Sequence, residues 1–379
     1  MVKKWALPTI DILPKPPQKQ PAEDIISGHE MTRMLLGRGI DYTLVKEVHA
    51  PQVSKYYFDS DSDEHIEKAD KIAKLIGTRM KIFGVQAIEQ RKPISHVCIS
   101  IPRTKPEIVY FADLLTEGEK PFVESASPYV PMLFGKDENN KPVIIDLRTM
   151  THCLIGGTTK SGKSGLIHAK ICSMKMRTTP DKLQIFFCDF KGNDSSFYKD
   201  SPFFGVDEET RKPLQPITCL IELVIRLRLL NKLMEERARE MNAKGQRELP
   251  ANEKRIVLII DELADVMAKG KTVVETPLAS LLAKGRSAGI HVILATQRPS
   301  AKVLDGDLKN NCPTVVGLKA ANKSSSGVIW DEPGLEKLLG RGDCMIRYDE
   351  ETEGIRMQVP YVSDSDIEAV MNFWKEQAK

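Results

Sequence analysis

The chain has 379 residues, a formal net charge of +3, 41% hydrophobic residues and 28% charged residues. This balance is ordinary for a soluble globular protein of two or three domains. No stretch approaches the length of apolar sequence that crosses a membrane, and the first residues lack the apolar core of a signal peptide, so we predict no membrane segment. The small net charge neither proves nor excludes nucleic-acid binding, because a channel needs only a local ring of positive charge.

The seven cysteines are scattered along the chain and form no CxxC pair. Neither a zinc site nor a disulfide framework is therefore indicated. Reduced and mostly buried thiols are typical of cytoplasmic proteins, so we expect a cytoplasmic location.

The first 118 residues are predicted to form a linker and a small α/β domain. Residues 1–28 are rich in proline and are interpreted as an extended linker. In residues 29–118, apolar residues between Ile66 and Ile76 recur at three- and four-residue spacing, which is typical of a helix. Three runs around this helix are strand-like: Tyr42–Val48, Val53–Phe58 and Val97–Ile101.

Residues 119–150 are predicted to connect this domain to a larger one and to contain strands at Tyr129–Phe134 and Pro142–Asp146. From residue 151 to residue 379, apolar strands alternate with helical patterns. This alternation predicts an α/β fold in which helices cover both faces of a parallel sheet. Its predicted strands are 153–155, 184–188, 256–260, 291–295 and 314–318, and its helices start at Lys163 and span Thr218–Glu240 and Val273–Ala288.

The most specific motif is a phosphate-binding loop. The sequence GTTKSGKS, from Gly157 to Ser164, follows an apolar strand and precedes a helix, as GxxxxGK[ST] requires. Its glycines let backbone N–H groups fold around phosphates, and the helix N-terminus favours negative charge. We expect Lys163 to reach the β- and γ-phosphates and Ser164 to ligate Mg²⁺. The predicted nucleotide-binding residues are Gly157, Thr158, Thr159, Lys160, Ser161, Gly162, Lys163, Ser164 and Gly165.

Two further strands end in polar residues. The continuous apolar run Ile256–Ile260 is typical of a buried central strand, and Asp261 and Glu262 follow it. Asp261 could hold Mg²⁺ through water and Glu262 could polarise the attacking water, although such a pair alone could equally cap a helix. Gln297 follows another apolar strand, where it could sense the γ-phosphate or be an ordinary polar strand cap.

These motifs predict nucleotide hydrolysis, but motors, kinases, transporters and switches share them. No motif specific for a sugar or a base identifies the nucleotide as ATP. The choice of function therefore depends on the rest of the chain.

Several further motifs, in order along the chain, resemble the FtsK/SpoIIIE family of DNA translocases. The family's lead-in to the phosphate loop is similar to residues 134–137, 142–146 and 150–152, and its Walker B signature to DELAD at 261–265. Its most distinctive stretch resembles KGRSAGIH at 284–291 and ATQRP at 295–299, and its closing motif resembles LLGRGD at 338–343. Residues 37–53 and 97–112 are similar to its small α domain, so the resemblance covers nearly the whole chain.

The resemblance implies a RecA-like P-loop ATPase domain over residues 151–379, preceded by an α-like domain. It implies a homo-oligomeric ring, a hexamer, with double-stranded DNA in its channel and ATP and Mg²⁺ bound between subunits. Arg286 matches the arginine that the family offers in trans to the neighbour's nucleotide, a task suited to a guanidinium fork. Arg298 and Lys309 match positions that contact DNA phosphates, although isolated basic residues in loops are usually only solvated.

Three positions depart from the family pattern. Gly327 stands where the family has a DNA-contacting arginine, Arg341 stands where it usually has an apolar residue, and Lys160 replaces a common glycine. We also expect neither the family's membrane anchor nor its winged-helix γ domain in this chain. Two other functions stay open: a protein-secretion ATPase of the type VII kind, and a nucleotide-dependent scaffold that barely hydrolyses.

Overall fold

The computed structural model describes residues 4–18, 23, 26–88, 94–117, 130–207, 212–304, 306–348 and 354–379. Over these residues the chain forms one sheet of four strands and one sheet of nine. Tyr129, at the start of a predicted strand, lies outside the described residues. No helix within the described ranges has the length and apolar character needed to span a membrane.

The smaller sheet is antiparallel and lies in the small α/β unit. Its order is β1-β2-β4-β3, and the strands are β1 (Thr43–His49), β2 (Val53–Asp59), β3 (Gln86–Ala87) and β4 (Val97–Pro102). A capping box between Ser27 and Glu30 starts the first helix by satisfying free backbone N–H groups. The helices of this unit are α1 (Gly28–Leu36), α2 (Asp63–Glu67) and α3 (Ala69–Met80). The predicted helix and strands are present, and the domain boundaries at 28, 118 and 150 stay predictions.

The larger sheet has a parallel centre and an antiparallel extension. The parallel strands, in spatial order, are β11 (Thr314–Leu318), β7 (Cys153–Gly156), β10 (Ile290–Thr296), β9 (Arg255–Ile260) and β8 (Leu183–Cys188). The predicted parallel sheet is thus confirmed as the central part of a mixed sheet. Beyond β11 the sheet continues antiparallel through β12 (Asp343–Arg347), β13 (Ile355–Gln358), β5 (Pro131–Asp137) and β6 (Pro142–Asp146).

Helices cover both faces of this sheet, because its central strands are apolar on both sides. On β9, Val257 and Ile259 face the core that contains Ile167 and Trp374, whereas Ile256 and Leu258 face a second core. The remaining helices are α4 (Phe111–Leu114), α5 (Leu147–Met150), α6 (Lys163–Arg177), α7 (Leu220–Ala243), α8 (Leu263–Lys284), α9 (Gly306–Asn310), α10 (Lys323–Trp330) and α11 (Asp364–Ala378). Helix α8 is kinked at Gly270, whose backbone is not helical.

The described part of the proline-rich N-terminal segment packs against the last helix. The Ala6 N–H donates to the side chain of Gln377 at 2.8 Å, and the Gln377 amide donates back to the Ala6 carbonyl at 3.0 Å. The rings of Trp5 and Trp374 lie 5.9 Å apart. These contacts hold the segment against α11. Its role as a linker stays a prediction.

Candidate nucleotide site and DNA-binding surface

The phosphate loop connects β7 to α6 in a conformation that its glycines permit. Gly162 has a φ of 112°, and a Cβ there would lie 2.6 Å from the backbone nitrogen of Gly342, so no other residue fits. Thr158 fixes the other end of the loop by donating from its N–H and hydroxyl to the Lys319 carbonyl, at 2.8 and 3.1 Å. Lys160 has a φ of 63°, a left-handed conformation that explains why glycine suits this position.

Lys163, the first residue of α6, is buried beside the end of β9. Its Nζ donates to the backbone oxygen and to Oδ1 of Asp261, both at 2.5 Å. Burial raises the pKa of the Asp261 carboxyl, and the Lys163 charge opposes that rise. The pair therefore places one cation and one carboxylate side by side at the end of the phosphate loop.

Glu262 and Gln297 are joined by hydrogen bonds across the ends of β9 and β10. Glu262 Oε1 accepts from the Thr296 hydroxyl at 2.7 Å, and its Oε2 accepts from the Gln297 N–H at 3.0 Å. Glu262 also caps α8, because it accepts from the Ala264 N–H at 3.4 Å, but it is buried rather than a solvated cap. The Gln297 side-chain oxygen in turn accepts from the Thr159 hydroxyl at 3.0 Å, which links the strand end to the phosphate loop.

Arg286 lies at the other edge of the sheet. It precedes β10, whereas Gln297 follows this strand of seven residues, so the two edges are separated by about 20 Å at the usual rise per residue. Arg286 is exposed and lines a cavity with Arg148, Arg255 and His291. The chain therefore does not bring Arg286 to its own phosphate loop.

Arg298 and Lys309 differ in how firmly they are held. The Arg298 side chain is 73% exposed, and its Nη1 lies 3.8 Å from Oδ1 of Asp265. The Lys309 side chain is only 15% exposed, because Nζ donates to the Val328 carbonyl at 2.8 Å and to Asp331 at 2.6 Å. Arg298 is thus open to a phosphate ligand, whereas a DNA contact by Lys309 must compete with Asp331.

Comparison with known proteins connects this geometry to a family. The sequence model of the FtsK/SpoIIIE family matches residues 114–301, which include the phosphate loop, Asp261, Glu262 and Gln297. Residues 114–301 of the chain therefore belong to the FtsK/SpoIIIE family. The resemblance inferred from its motifs is therefore confirmed.

Curated relatives extend the similarity beyond that region. The DNA translocase FtsK of Chlamydia pneumoniae is 31% identical over 353 residues, which are 90% of this chain and 43% of that protein. The DNA translocase FtsK of Streptococcus pyogenes serotype M6 is 30% identical over 392 residues, which are 99% of this chain and 48% of that protein. The chain therefore spans just under half the length of these relatives.

Solved structures share the fold at lower identity. The conjugation coupling protein TcpA, in a monomer form with ATPγS, has a TM-score of 0.57 at 20% identity over 89% of this chain and 94% of that chain. The cytoplasmic domain of the Thermomonospora curvata type VII secretion ATPase EccC has a TM-score of 0.54 at 20% identity over 70% of this chain and 34% of that chain. These similarities show that this chain has the fold of P-loop ATPases.

Sequence reasoning missed a hydrogen-bonded group behind Ser164. Asp194 interacts with Ser164 and with His168, whose Nε2 lies 3.8 Å from Asp194 Oδ1, and His168 is the main reason that the pKa of Asp194 is lowered. His168 Nδ1 lies 2.7 Å from the hydroxyl of Tyr198. Ser164 and His168 are four residues apart on α6 and so lie on one face of the helix, which is the signal that could have found this group.

Gly327, the departure from the family's arginine, lies within α10. A Cβ placed on it would meet no atom within 4 Å. The position is therefore sterically open to a larger side chain.

Proposed function

We propose that this protein is an ATP-driven double-stranded DNA translocase that works as a ring of identical subunits, a hexamer. The observation that carries the proposal is the convergence at one sheet edge of two groups, the Lys163–Asp261 pair and the Glu262–Gln297–Thr159 network. Family membership supports DNA as the cargo. Phosphate contacts carry no base information, so movement is expected to be largely independent of sequence.

The residues at this edge suit ATP with Mg²⁺. The Ser164 hydroxyl and the Asp261 carboxylate offer the oxygen ligands that Mg²⁺ prefers, and the bound ion would neutralise charge on the phosphates. Among the residues that the structure describes, no three His, Cys, Asp or Glu side chains form a metal site by themselves. This arrangement fits an ion that takes its other ligands from phosphate and water.

Each remaining residue at the edge has one task. Lys163 neutralises charge on the phosphates, and Glu262 orients the attacking water. Gln297 reports the presence of the γ-phosphate to β10 through the Thr159 and Glu262 contacts. These tasks are positioning and electrostatic stabilisation, which dominate catalysis of phosphoryl transfer.

Arg286 completes the site of a neighbouring subunit in this proposal. Its place at the amino edge of the sheet keeps it from its own nucleotide, and its exposure leaves it available to another copy. A guanidinium there stabilises the charge that spreads over the transferring phosphoryl oxygens. Hydrolysis would then be coupled between adjacent subunits.

Arg298, one residue beyond Gln297, grips the DNA backbone, and Lys309 joins it when released from Asp331. Because Arg298 and Gln297 are adjacent, a change at the γ-phosphate sensor reaches the DNA contact directly. A cytoplasmic location remains our prediction for this motor.

The deciding experiment measures ATP hydrolysis by the purified chain with and without linear duplex DNA, at low and moderate salt, with single-stranded DNA as a control. Strong stimulation by duplex that fades with salt is expected for a motor that grips phosphates. Hydrolysis that is indifferent to DNA would contradict the proposal and favour protein secretion. Absence of hydrolysis under all conditions would favour the scaffold.

A further inference from the structure

The stretch Gly340–Gly342, here called the closing loop, is bonded directly to the phosphate loop. The Arg341 N–H donates to the Lys160 carbonyl at 3.4 Å, and the Gly342 N–H donates to the Ser161 carbonyl at 2.7 Å. The absence of a side chain at Gly162 lets the two backbones touch. A shift of the phosphate loop at these residues must therefore move the closing loop as well.

The opposite side of the closing loop is held by the small α/β unit. Gln52, in the turn between β1 and β2, donates from Nε2 to the Gly340 carbonyl at 3.4 Å and also to the side-chain oxygen of Gln358. Gln358 Nε2 donates in turn to the Arg341 carbonyl at 2.9 Å. A continuous set of hydrogen bonds thus runs from the small unit to the phosphate loop.

The closing loop is followed along the chain by Asp343, which belongs to a buried ion pair. Asp343 forms two hydrogen bonds with the Arg356 guanidinium, at 2.9 and 2.7 Å, and both side chains are buried. The Asp343 carboxylate also accepts from the Leu339 N–H at 2.7 Å. Leu339 and Asp343 are thus anchored on either side of the three residues to which Gln52 is attached.

We propose that Gln52 is a positioning residue that couples the phosphate loop to the small α/β unit through the closing loop. The coupling rests on the proposed function, because it needs a nucleotide on the phosphate loop. Gln52 touches no nucleotide atom in this role. It acts by fixing the carbonyl side of Gly340 and Arg341, so that displacement of the phosphate loop reaches the turn between β1 and β2.

The test compares hydrogen–deuterium exchange with and without ATPγS and Mg²⁺ in peptides covering residues 49–53 and 97–103 of the full chain. The variants are Gln52→Ala and Gln52→Glu, which remove the donor, and Gln52→Lys, which retains one. Asn140→Ala is the matched control, because Asn140 donates to the His49 carbonyl at 2.8 Å and so links the same two sheets without touching the closing loop. Gln358→Ala removes the side chain that accepts from Gln52, so the test still decides if Gln52→Ala does not fold.

We expect ATPγS to slow exchange in both peptides of the wild-type chain, of Asn140→Ala and of Gln52→Lys. The slowing should be lost in Gln52→Ala, Gln52→Glu and Gln358→Ala. Stimulation of hydrolysis by duplex DNA should fall about 5-fold in these three variants, which is the lower end of the usual range for coupling between two sites. Hydrolysis without DNA should persist.

Three results would overturn the coupling. The first is that ATPγS slows exchange in Gln52→Ala and Gln358→Ala as much as it does in the wild-type chain. The second is a wild-type chain that binds a fluorescent ATP analogue but shows no slowing in either peptide. The third is a wild-type chain that binds no nucleotide, which would refute the proposed function itself and the coupling with it, and the fluorescence measurement separates this case from the other two.

Discussion

The ammonium group of Lys163 lies 2.5 Å from a carboxylate oxygen of Asp261, and both side chains are buried at the mouth of the phosphate loop. In Lys163→Ala, the phosphates lose their principal cation and the carboxylate loses its partner. We expect ATP hydrolysis to fall by about 100-fold or more, with some loss of stability because a buried charge is left unpaired. Steady-state hydrolysis and urea unfolding measure the two effects.

Lys199→Ala is the control for that variant, because it removes an exposed lysine that lies outside the phosphate loop. It should retain most of the activity. Near-normal turnover in Lys163→Ala would refute the site assignment.

Arg286→Ala should be inactive alone, because its charge is lost from the neighbouring site. Mixed rings of Arg286→Ala and Lys163→Ala should recover part of the activity. In such rings, Lys163 of an Arg286→Ala subunit can meet Arg286 of a neighbouring Lys163→Ala subunit, so that interface carries both wild-type residues. Hydrolysis across a series of mixing ratios measures the recovery. Rings of Arg286→Ala that turn over at the wild-type rate would contradict the assigned role.

Arg298→Ala should weaken duplex binding equally for different sequences, because a phosphate contact carries no base information. The slope of log K against log salt should become shallower by about 0.9 for each subunit that contacts DNA. Fluorescence anisotropy with two unrelated duplexes over a range of salt measures both effects. Arg239→Ala, which removes an exposed arginine from α7, should leave the slope unchanged.

Gly327→Arg should strengthen DNA binding, because it restores a charge that the family carries and the position is open. Gly327→Ala is the control, since either change removes a helix glycine and should stabilise the fold by up to about 1 kcal/mol. Only the arginine should tighten duplex binding and steepen its salt dependence. Equal DNA affinities of the two variants would show that residue 327 does not face DNA.

Two buried histidines should make stability fall in mild acid. Burial is the main reason that the pKa is lowered to about 3 for His152 and to about 4 for His291. Both groups stay neutral in the folded chain at pH 5.5 but take up protons when it unfolds, with a pKa of about 6.5. Each histidine should therefore lower the free energy of unfolding by about 1.4 kcal/mol between pH 7.5 and pH 5.5. The loss begins as the pH falls through the pKa of the histidine in the unfolded chain.

Urea unfolding at the two pH values tests this expectation. His152→Asn and His291→Asn offer amides in place of the imidazole, so each variant should lose about 1.4 kcal/mol less than the wild type over the same interval. An unchanged pH dependence in both variants would show that other groups cause it.

Part of the fold follows from local sequence alone. The continuous apolar run Ile256–Ile260 predicts a strand buried on both faces, and the structure places two helical layers on its alternating sides. Pro142–Asp146 is likewise predicted to be a strand and is one, but only the structure shows that it lies at one edge of the large sheet. Periodicity reveals a strand but not its partner, because pairing depends on contacts between residues far apart in the chain.

Local sequence is enough to predict the chemistry of the candidate site, because phosphate loops require glycines, a lysine and a hydroxyl at fixed spacing within one turn. Only the tertiary structure brought Glu262 and Gln297 together and left Arg286 at the opposite edge of the sheet. It alone showed that Lys309 is held by Asp331 and that Gln52 reaches the closing loop. The physical reason is distance along the chain: local motifs encode backbone geometry, whereas these contacts join segments that meet only when parallel strands align and the two sheets pack together.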